Sequence, residues 1–373
     1  MPPPGALNRR TQSLLIAGVA LLLCFSVYRL YFASPPGPYV AFSGKTMGTT
    51  WNVKVAGDGL GPDAMRLIGA GIDTALDDVV GRMSTWEKDS ELSRFNATES
   101  TGPFAVSPPV LEVLGVAQRV SLLSGGAFDV TVGPLVDAWG FGNQDRDLAQ
   151  SPPSEATLQK LLGRVGYRGL ELNPATGHLA KSHPGMRVDV SAIAKGYGVD
   201  RVGEALERLG HRDYLVEVGG ELLARGRRSD GRAWRVAIEK PSEEVGTFHR
   251  VLELHDRAMA TSGDYRNYYE VDGQRVSHTI DPRTGRPIRH GLASVSVIHE
   301  SATWADAWAT ALNVLGPEAG YALAEAQGLA VHFIVRDGPE GFENRVTPAF
   351  EALVEAAQPD PGTRSESPSS TLE

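Results

Sequence analysis

The most informative stretch for chemistry is residues 188–198, with the sequence Val-Asp-Val-Ser-Ala-Ile-Ala-Lys-Gly-Tyr-Gly. It places the carboxyl of Asp189, a predicted helix N-cap at Ser191 and the ammonium of Lys195 within two turns. Free backbone NH groups and an ammonium could together face an anion. Two glycines follow the lysine, and since each costs about 1 kcal/mol inside a helix, they indicate a close approach to that backbone. A capped amphipathic helix in tight contact with another helix explains the segment equally well.

A carboxylate and a hydroxyl share one predicted helix face at Asp306 and Thr310, whose other residues are Ala and Leu. The two lie at i and i+4, so their side chains are neighbours on an apolar face and need a partner. A bound Mg²⁺, completed by backbone carbonyl and phosphate oxygens, would satisfy both. The alternative is an aspartate near a helix start that interacts with its own backbone.

A histidine follows a predicted strand in residues 277–285, Ser-His-Thr-Ile-Asp-Pro-Arg-Thr-Gly. His278 could accept a proton from an attacking hydroxyl, because its ordinary pKa lies near neutrality. The nearby Asp281 could equally form a turn bond with it.

Two further stretches would suit a planar ring system. Residues 83–86, Met-Ser-Thr-Trp, offer a flat aromatic after a helix, and residues 125–131, Gly-Gly-Ala-Phe-Asp-Val-Thr, form a glycine-rich entry into a strand. Either could also be core packing.

Composition limits the function classes. The chain has 373 residues, 42% of them hydrophobic, and a formal net charge of -9, which disfavours a general affinity for nucleic acid. Cys24 is the only cysteine, so an internal disulfide and a thiolate zinc cluster are excluded. A hard metal with oxygen ligands remains possible.

An apolar run from residue 13 to 28 follows Arg9 and Arg10. It predicts an export signal or a single membrane anchor. Leucines precede Cys24 where lipidation prefers a small residue, so we favour an uncleaved anchor with the arginines in the cytoplasm and the body outside. A buried core helix is disfavoured because a terminal segment behind a Pro-rich head has little core to enter.

Hydrophobic periodicity predicts a membrane-anchor segment with linker at 1–38, one folded domain at 39–357 and a disordered tail at 358–373. Helices are predicted at about 65–83, 110–120, 192–209 and 303–315, with another after Pro317. Strands are predicted at 51–55, 214–218, 222–225, 234–238, 251–254, 293–298 and 329–335, and a hairpin of 265–271 with 275–280 turning at Asp272-Gly273. Consecutive strands mixed with long helices favour an α+β fold on largely antiparallel sheets. Neither usual phosphate-binding loop occurs.

Taken in this order, the segments resemble the FAD:protein FMN transferase family, often called ApbE. The resemblance runs through residues 47–49 (Met-Gly-Thr), 83–86, 89–96, 126–129, 189–198, 219–220, 261–263, 278–285 and 306–312. It implies a T-fold-like α+β body that binds one FAD, with Mg²⁺ at the diphosphate.

The resemblance also implies roles for individual residues. Those that would contact FAD are Met47, Trp86, Ala127, Phe128, Asp129, Asp189, Lys195 and Ile280. Those that would hold the metal are Ala192, through its carbonyl, Asp306 and Thr310. His278 would activate the acceptor hydroxyl.

The implied reaction is phosphoryl transfer, in which a Thr or Ser hydroxyl of an acceptor protein attacks the FMN-side phosphorus and AMP leaves. The implied acceptors are flavin-carrying subunits of membrane redox complexes, met in the periplasm by a protein anchored in the inner membrane. No nucleic acid partner is expected. An extracytoplasmic FAD pyrophosphatase, which would use water in place of the acceptor, and a non-catalytic FAD-binding protein remain alternatives.

Overall fold

A computed structural model of the chain describes residues 39–57, 59–142, 152–241, 248–263, 268–271, 274–338 and 341–357. The helices, numbered in chain order, are α1 Pro62–Met83, α2 Glu91–Ala97, α3 Pro108–Leu123, α4 Gly133–Ala138, α5 Glu155–Leu162, α6 Ala194–Arg208, α7 Ala302–Ala326 and α8 Pro348–Ala357. The first strands are β1 Tyr39–Thr46, β2 Thr49–Ala56, β3 Phe104–Ala105, β4 Leu170–Asn173, β5 His178–Lys181, β6 Tyr214–Val218, β7 Glu221–Arg225, β8 Trp234–Glu239 and β9 Phe248–Leu254. The later strands are β10 Arg257–Gly263, β11 Tyr268–Val271, β12 Gln274–Ser277, β13 Ile280–Asp281, β14 Arg286–Pro287, β15 Leu292–His299, β16 Ala330–Asp337 and β17 Gly341–Val346.

An eight-stranded sheet forms the centre of the described body. Its strand order is β1-β2-β6-β7-β10-β15-β16-β17, and every neighbouring pair is antiparallel. Smaller sheets form from β3, β4 and β5, from β8 and β9, from β11 and β12, and from β13 and β14. This confirms the predicted α+β fold on antiparallel sheets.

Two helices show how the sequence pattern produces the packing. In α1 the buried residues Ile68, Ile72, Leu76 and Val79 recur every three or four positions, so one face of the helix enters the core. Helix α7 is buried over most of its length and bends at Gly316, where φ is 80° and ψ is -178°, immediately before a proline. The predicted break between two helical segments at this Gly-Pro pair is therefore confirmed.

The structure corrects two local predictions. Helix α6 begins at Ala194, after Ile193 with φ of -151°, and Ser191 does not cap it. Instead, the Ser191 NH donates to Asp189 Oδ1 at 2.9 Å, which starts a turn ahead of the helix. The predicted second hairpin strand at 275–280 also ends early, at Ser277. Ile280–Asp281 pairs with Arg286–Pro287 in a separate short ladder.

No helix in the described ranges is long and apolar enough to cross a membrane. The predicted anchor at 1–38, with Cys24, and the predicted tail at 358–373 lie outside the described residues. The predicted turn at Asp272-Gly273 also lies outside them.

His332 on β16 generates a prediction about stability. The residue is 1% exposed, and its ring stacks on those of His249 and Phe350, with a centroid distance of 5.5 Å in each pair. Burial, with the nearby His249 and Arg250, lowers its pKa from 6.5 to about 4. Between these two pKa values His332 is protonated in the unfolded chain and neutral in the folded chain. Its effect on the free energy of unfolding is therefore absent above about pH 6.5, and the protein loses stability as the pH falls towards 4.

Between pH 6.5 and 4, we expect the free energy of unfolding of His332→Phe to fall by a few kcal/mol less than that of the wild type. The reason is that Phe keeps the ring packing but binds no proton. Denaturant unfolding across that range measures it, with His178→Phe on β5 as the control. If the free energies of unfolding of the wild type and His332→Phe changed in parallel with pH, His332 would not be the source of the pH dependence.

Candidate active site

A cavity of about 1110 Å³ opens where α6 and α7 meet the β6–β7 turn and β10. The structure brings most of the predicted site residues to its wall. These are Trp86, Asp189, Ala192, Lys195, His278, Ile280, Asp306 and Thr310. The fold thus brings residues from distant parts of the chain to one cavity, and their individual roles stay predictions.

Four predicted FAD contacts do not line this cavity: Met47, Ala127, Phe128 and Asp129. Ala127 and Phe128 are buried, at 1% and 2% exposure. Met47 lies in the β1–β2 turn with φ of 47° and reaches the α6 backbone at Gly198, where an added Cβ would lie 2.9 Å from Met47 Cε.

The carboxylate of Asp129 binds the protein's own backbone. Asp129 Oδ1 accepts hydrogen bonds from the NH and hydroxyl of Thr131, at 2.8 and 2.6 Å, and Oδ2 accepts one from the NH of Tyr167 at 2.7 Å. Burial raises its pKa, although these three hydrogen bonds oppose the shift. In this structure Asp129 therefore holds the loop at Tyr167 in place.

Lys195 lies between two buried carboxylates. Its Nζ is 2.9 Å from Glu221 Oε1 and 3.7 Å from Asp306 Oδ1. The side chain of Lys195 is 28% exposed, whereas those of Glu221 and Asp306 are 4% and 5% exposed. One ammonium thus faces two carboxylates at the cavity wall.

The two carboxylates determine the protonation of the lysine. Burial opposes a charged ammonium, but Asp306 and Glu221 outweigh it and raise the pKa of Lys195 above its ordinary value. Burial, helped by Asp306 and opposed by Lys195, raises the pKa of Glu221. With both acids ionised, the cluster carries one negative charge in excess.

Helices α6 and α7 approach closely enough to set the position of Asp306. The NH of Gly196 donates to Asp306 Oδ2 at 2.9 Å. A Cβ at Gly196 would lie 2.2 Å from the carbonyl oxygen of Ala302, so only glycine fits there. The close approach that the glycines predicted is therefore found at this position.

A second contact fixes the start of α7. The Asp200 carboxylate accepts hydrogen bonds from the NH groups of Ala302 and Thr303, each at 2.9 Å, and from the hydroxyl of Ser301 at 2.6 Å. Asp200 thus satisfies amides that a helix start leaves without intrahelical partners.

The cluster fits a hard cation that brings other oxygen ligands. Glu221 Oε2 is buried without a hydrogen-bond partner among the described residues. The described residues contain no group of three or more His, Cys, Asp or Glu arranged to hold a metal. A cation beside Asp306 would therefore use the Thr310 hydroxyl, backbone carbonyls and ligand oxygens, as Mg²⁺ commonly does.

The sequence analysis did not identify Glu221 as a site residue. An acid followed by three apolar residues, directly after Gly219-Gly220, was the available signal. It also missed the ion pair of Arg187 and Asp137 on the cavity wall, 2.5 Å between Nη1 and Oδ2. These two residues are 50 positions apart, and no local pattern connects them.

A mixed α+β body with a lysine and two buried carboxylates on its cavity wall is suited to an anionic ligand that arrives with a cation. Residues 47–333 match the model of the ApbE family. The FAD:protein FMN transferase of Vibrio cholerae is 44% identical over 336 residues, which cover 90% of this chain and 98% of that protein. The FAD:protein FMN transferase of Klebsiella pneumoniae is 41% identical over 325 residues, covering 86% and 91%.

Solved structures agree with these matches. Flavin transferase ApbE from Vibrio cholerae has a TM-score of 0.77 at 43% identity and covers 85% of this chain and 99% of its own. The apo form of Pseudomonas stutzeri flavinyl transferase ApbE has a TM-score of 0.78 at 41% identity, covering 85% and 97%. The chain belongs to the ApbE family, which confirms the resemblance seen in its sequence.

Gly196→Ala is expected to lower the free energy of unfolding by about 1–3 kcal/mol, because the added methyl pushes α6 from Ala302 and disturbs Asp306. Denaturant unfolding measures the change. Gly81→Ala in α1 is the matched control, since nothing lies within 4 Å of its added Cβ, and it should be neutral or stabilise by up to about 1 kcal/mol. Equal stability of the two variants would contradict the tight packing at Gly196.

Proposed function

We propose that this protein transfers FMN from FAD to a Thr or Ser hydroxyl of an acceptor protein, forming a phosphoester and releasing AMP, with Mg²⁺. The observation that carries the proposal is the charged cluster of Lys195, Asp306 and Glu221 on the cavity wall of a chain in the ApbE family. Relatives 41–44% identical over most of its length carry the name FAD:protein FMN transferase.

The metal would be held by the Asp306 carboxylate, the Thr310 hydroxyl and the backbone carbonyl of Ala192. When bound, Mg²⁺ supplies positive charge that stabilises the diphosphate as negative charge develops on the leaving group. All three residues line the cavity, and the hydrogen bond from the Gly196 NH orients Asp306.

Other cavity residues would bind the two ends of FAD. The Lys195 ammonium, kept charged by its two carboxylates, attracts the diphosphate. Trp86 is 71% exposed at the cavity wall, and its flat ring is available to a planar group. Asp189 and Ile280 line the same cavity.

His278 would accept the proton of the acceptor hydroxyl. The hydroxyl oxygen forms a bond to the FMN-side phosphorus while the bond from that phosphorus to the bridging oxygen breaks, and AMP takes the electron pair. His278 lies on the cavity wall, half-buried, with its ring edge-on to Phe141 at a centroid distance of 6.3 Å.

We further propose that the reaction takes place in the periplasm, at the inner membrane. The apolar run at 13–28 behind Arg9 and Arg10 would anchor the chain in the inner membrane with the catalytic body in the periplasm. Flavin-accepting subunits of membrane redox complexes would then share its compartment. A net charge of -9 supports a protein partner over nucleic acid.

The test is to incubate the full chain, purified in detergent, with FAD, Mg²⁺ and an acceptor domain carrying a Thr flavinylation site. We expect the intact mass of the acceptor to rise by one FMN minus water, with no rise after chelation or in Asp306→Ala, because both remove the charge-stabilising cation. FMN and AMP in solution beside an unmodified acceptor would indicate the pyrophosphatase instead. Intact FAD throughout would indicate a binding protein.

His278→Ala is expected to slow transfer by about 100-fold or more, because the acceptor hydroxyl loses its proton acceptor. The dissociation constant of FAD, measured by flavin fluorescence, should change far less. His183→Ala is the control, since His183 is exposed and does not line the cavity. Transfer at the wild-type rate in His278→Ala would remove the proposed role.

A further inference from the structure

Lys195 and a divalent cation would compete for the same carboxylate. Asp306 is the proposed metal ligand, and the Lys195 Nζ lies 3.7 Å from its Oδ1. Coulomb attraction grows as the separation shrinks and as water is excluded. Shortening this ion pair to a hydrogen bond would therefore neutralise more of the charge that the cation needs on Asp306.

The shorter contact of Lys195 is to Glu221. The distance from Nζ to Glu221 Oε1 is 2.9 Å, within hydrogen-bond range, whereas the distance to Asp306 Oδ1 is not. The ammonium therefore forms its hydrogen bond with Glu221, and its contact with Asp306 is the longer of the two.

Rigid surroundings fix this arrangement. Glu221 begins β7 directly after Gly219 and Gly220, whose φ angles are 59° and 101°, in the left-handed region that favours glycine. A Cβ on Gly219 would lie 3.0 Å from Lys195 Cδ, so the turn also confines the lysine stem. On the other side, the Gly196 NH fixes Oδ2 of Asp306.

We propose that Glu221 is a positioning residue that keeps the Lys195 ammonium out of hydrogen-bond range of Asp306 and so keeps Asp306 available to the divalent cation. The inference rests on the proposed function only in placing that cation at Asp306. Without Glu221, Asp306 is the remaining carboxylate beside Lys195. Its Oδ1 already lies 3.7 Å from the ammonium, so a small shift of Nζ brings the two into hydrogen-bond range. The cation must then displace an ion pair.

A direct role for Glu221 as a metal ligand is the competing explanation, because its Oε2 is buried without a hydrogen-bond partner among the described residues. The two explanations differ in what Lys195 contributes. If Glu221 acts by restraining the ammonium, removing the ammonium makes Glu221 dispensable for cation binding. If Glu221 binds the cation itself, removing the ammonium cannot replace the lost ligand.

The experiment measures Mn²⁺ binding by electron paramagnetic resonance on the full chain without FAD. The proteins are the wild type, Glu221→Gln, Lys195→Met and the double variant. We expect Glu221→Gln to weaken Mn²⁺ binding by about fivefold, the upper range measured for a solvent-accessible ion pair. The double variant should bind Mn²⁺ at least as tightly as the wild type.

Glu217→Gln is the matched control, since Glu217 also lines the cavity but binds Asn52 and the Gly220 NH. It should leave Mn²⁺ affinity within about twofold of the wild type, because it removes no contact to Lys195. Glu221→Asp, which keeps the charge, should recover part of the loss, and thermal unfolding confirms that each variant is folded.

A double variant as weak as Glu221→Gln would overturn the positioning role, and so would a wild type that binds no Mn²⁺. The failure of the positioning role can be distinguished from the failure of the proposed function. A wild type that binds Mn²⁺ but transfers no FMN contradicts the function and leaves the comparison of affinities standing.

Discussion

The site depends on the close contact between α6 and α7. The Gly196 NH binds one oxygen of Asp306, and one turn later Asp200 binds the first amides of α7. Since both contacts come from the same helix four residues apart, they fix the separation of the two helices and the rotation of α7. A buried carboxylate that lacked such a donor would be costly, so the helix contact and the placement of Asp306 stabilise each other.

The second constraint is charge. Three ionisable groups meet on the cavity wall, and the side chains of both acids are at most 5% exposed. When both acids are ionised they carry one negative charge more than Lys195 balances, and burial raises the pKa of Glu221 against that state. A buried cluster with unbalanced charge is expensive unless a ligand of opposite sign compensates it. The excess therefore favours a cation from outside, and the lysine remains charged and able to attract an anion. The same geometry serves a cation and an anionic ligand together, as a metal-bound diphosphate requires.

Much of the architecture was predictable because it depends on local pattern. The spacing of Ile68, Ile72 and Leu76 specifies α1, and the Gly-Pro pair at 316–317 specifies the bend of α7. The gathering of Lys195, Asp306 and His278 at one cavity followed from the resemblance of the ordered segments to a known family, not from periodicity.

The parts that the sequence did not predict are those decided by distant contacts. Serine is a residue type favoured at N-caps, but the NH of Ser191 donates to the Asp189 carboxylate and the helix starts at Ala194. Local propensity does not predict which of the two, the N-cap or the turn with Asp189, will form, because the outcome depends on the contacts of the preceding segment. Glu221 shows the same limit more strongly. In sequence it is a single acid before three apolar residues. Its place in the site appears only in the fold, where it lies 2.9 Å from a lysine 26 residues earlier. The fold, not the motif, makes Glu221 part of the site, so a site identified from motifs alone omits one of the two buried carboxylates that flank Lys195.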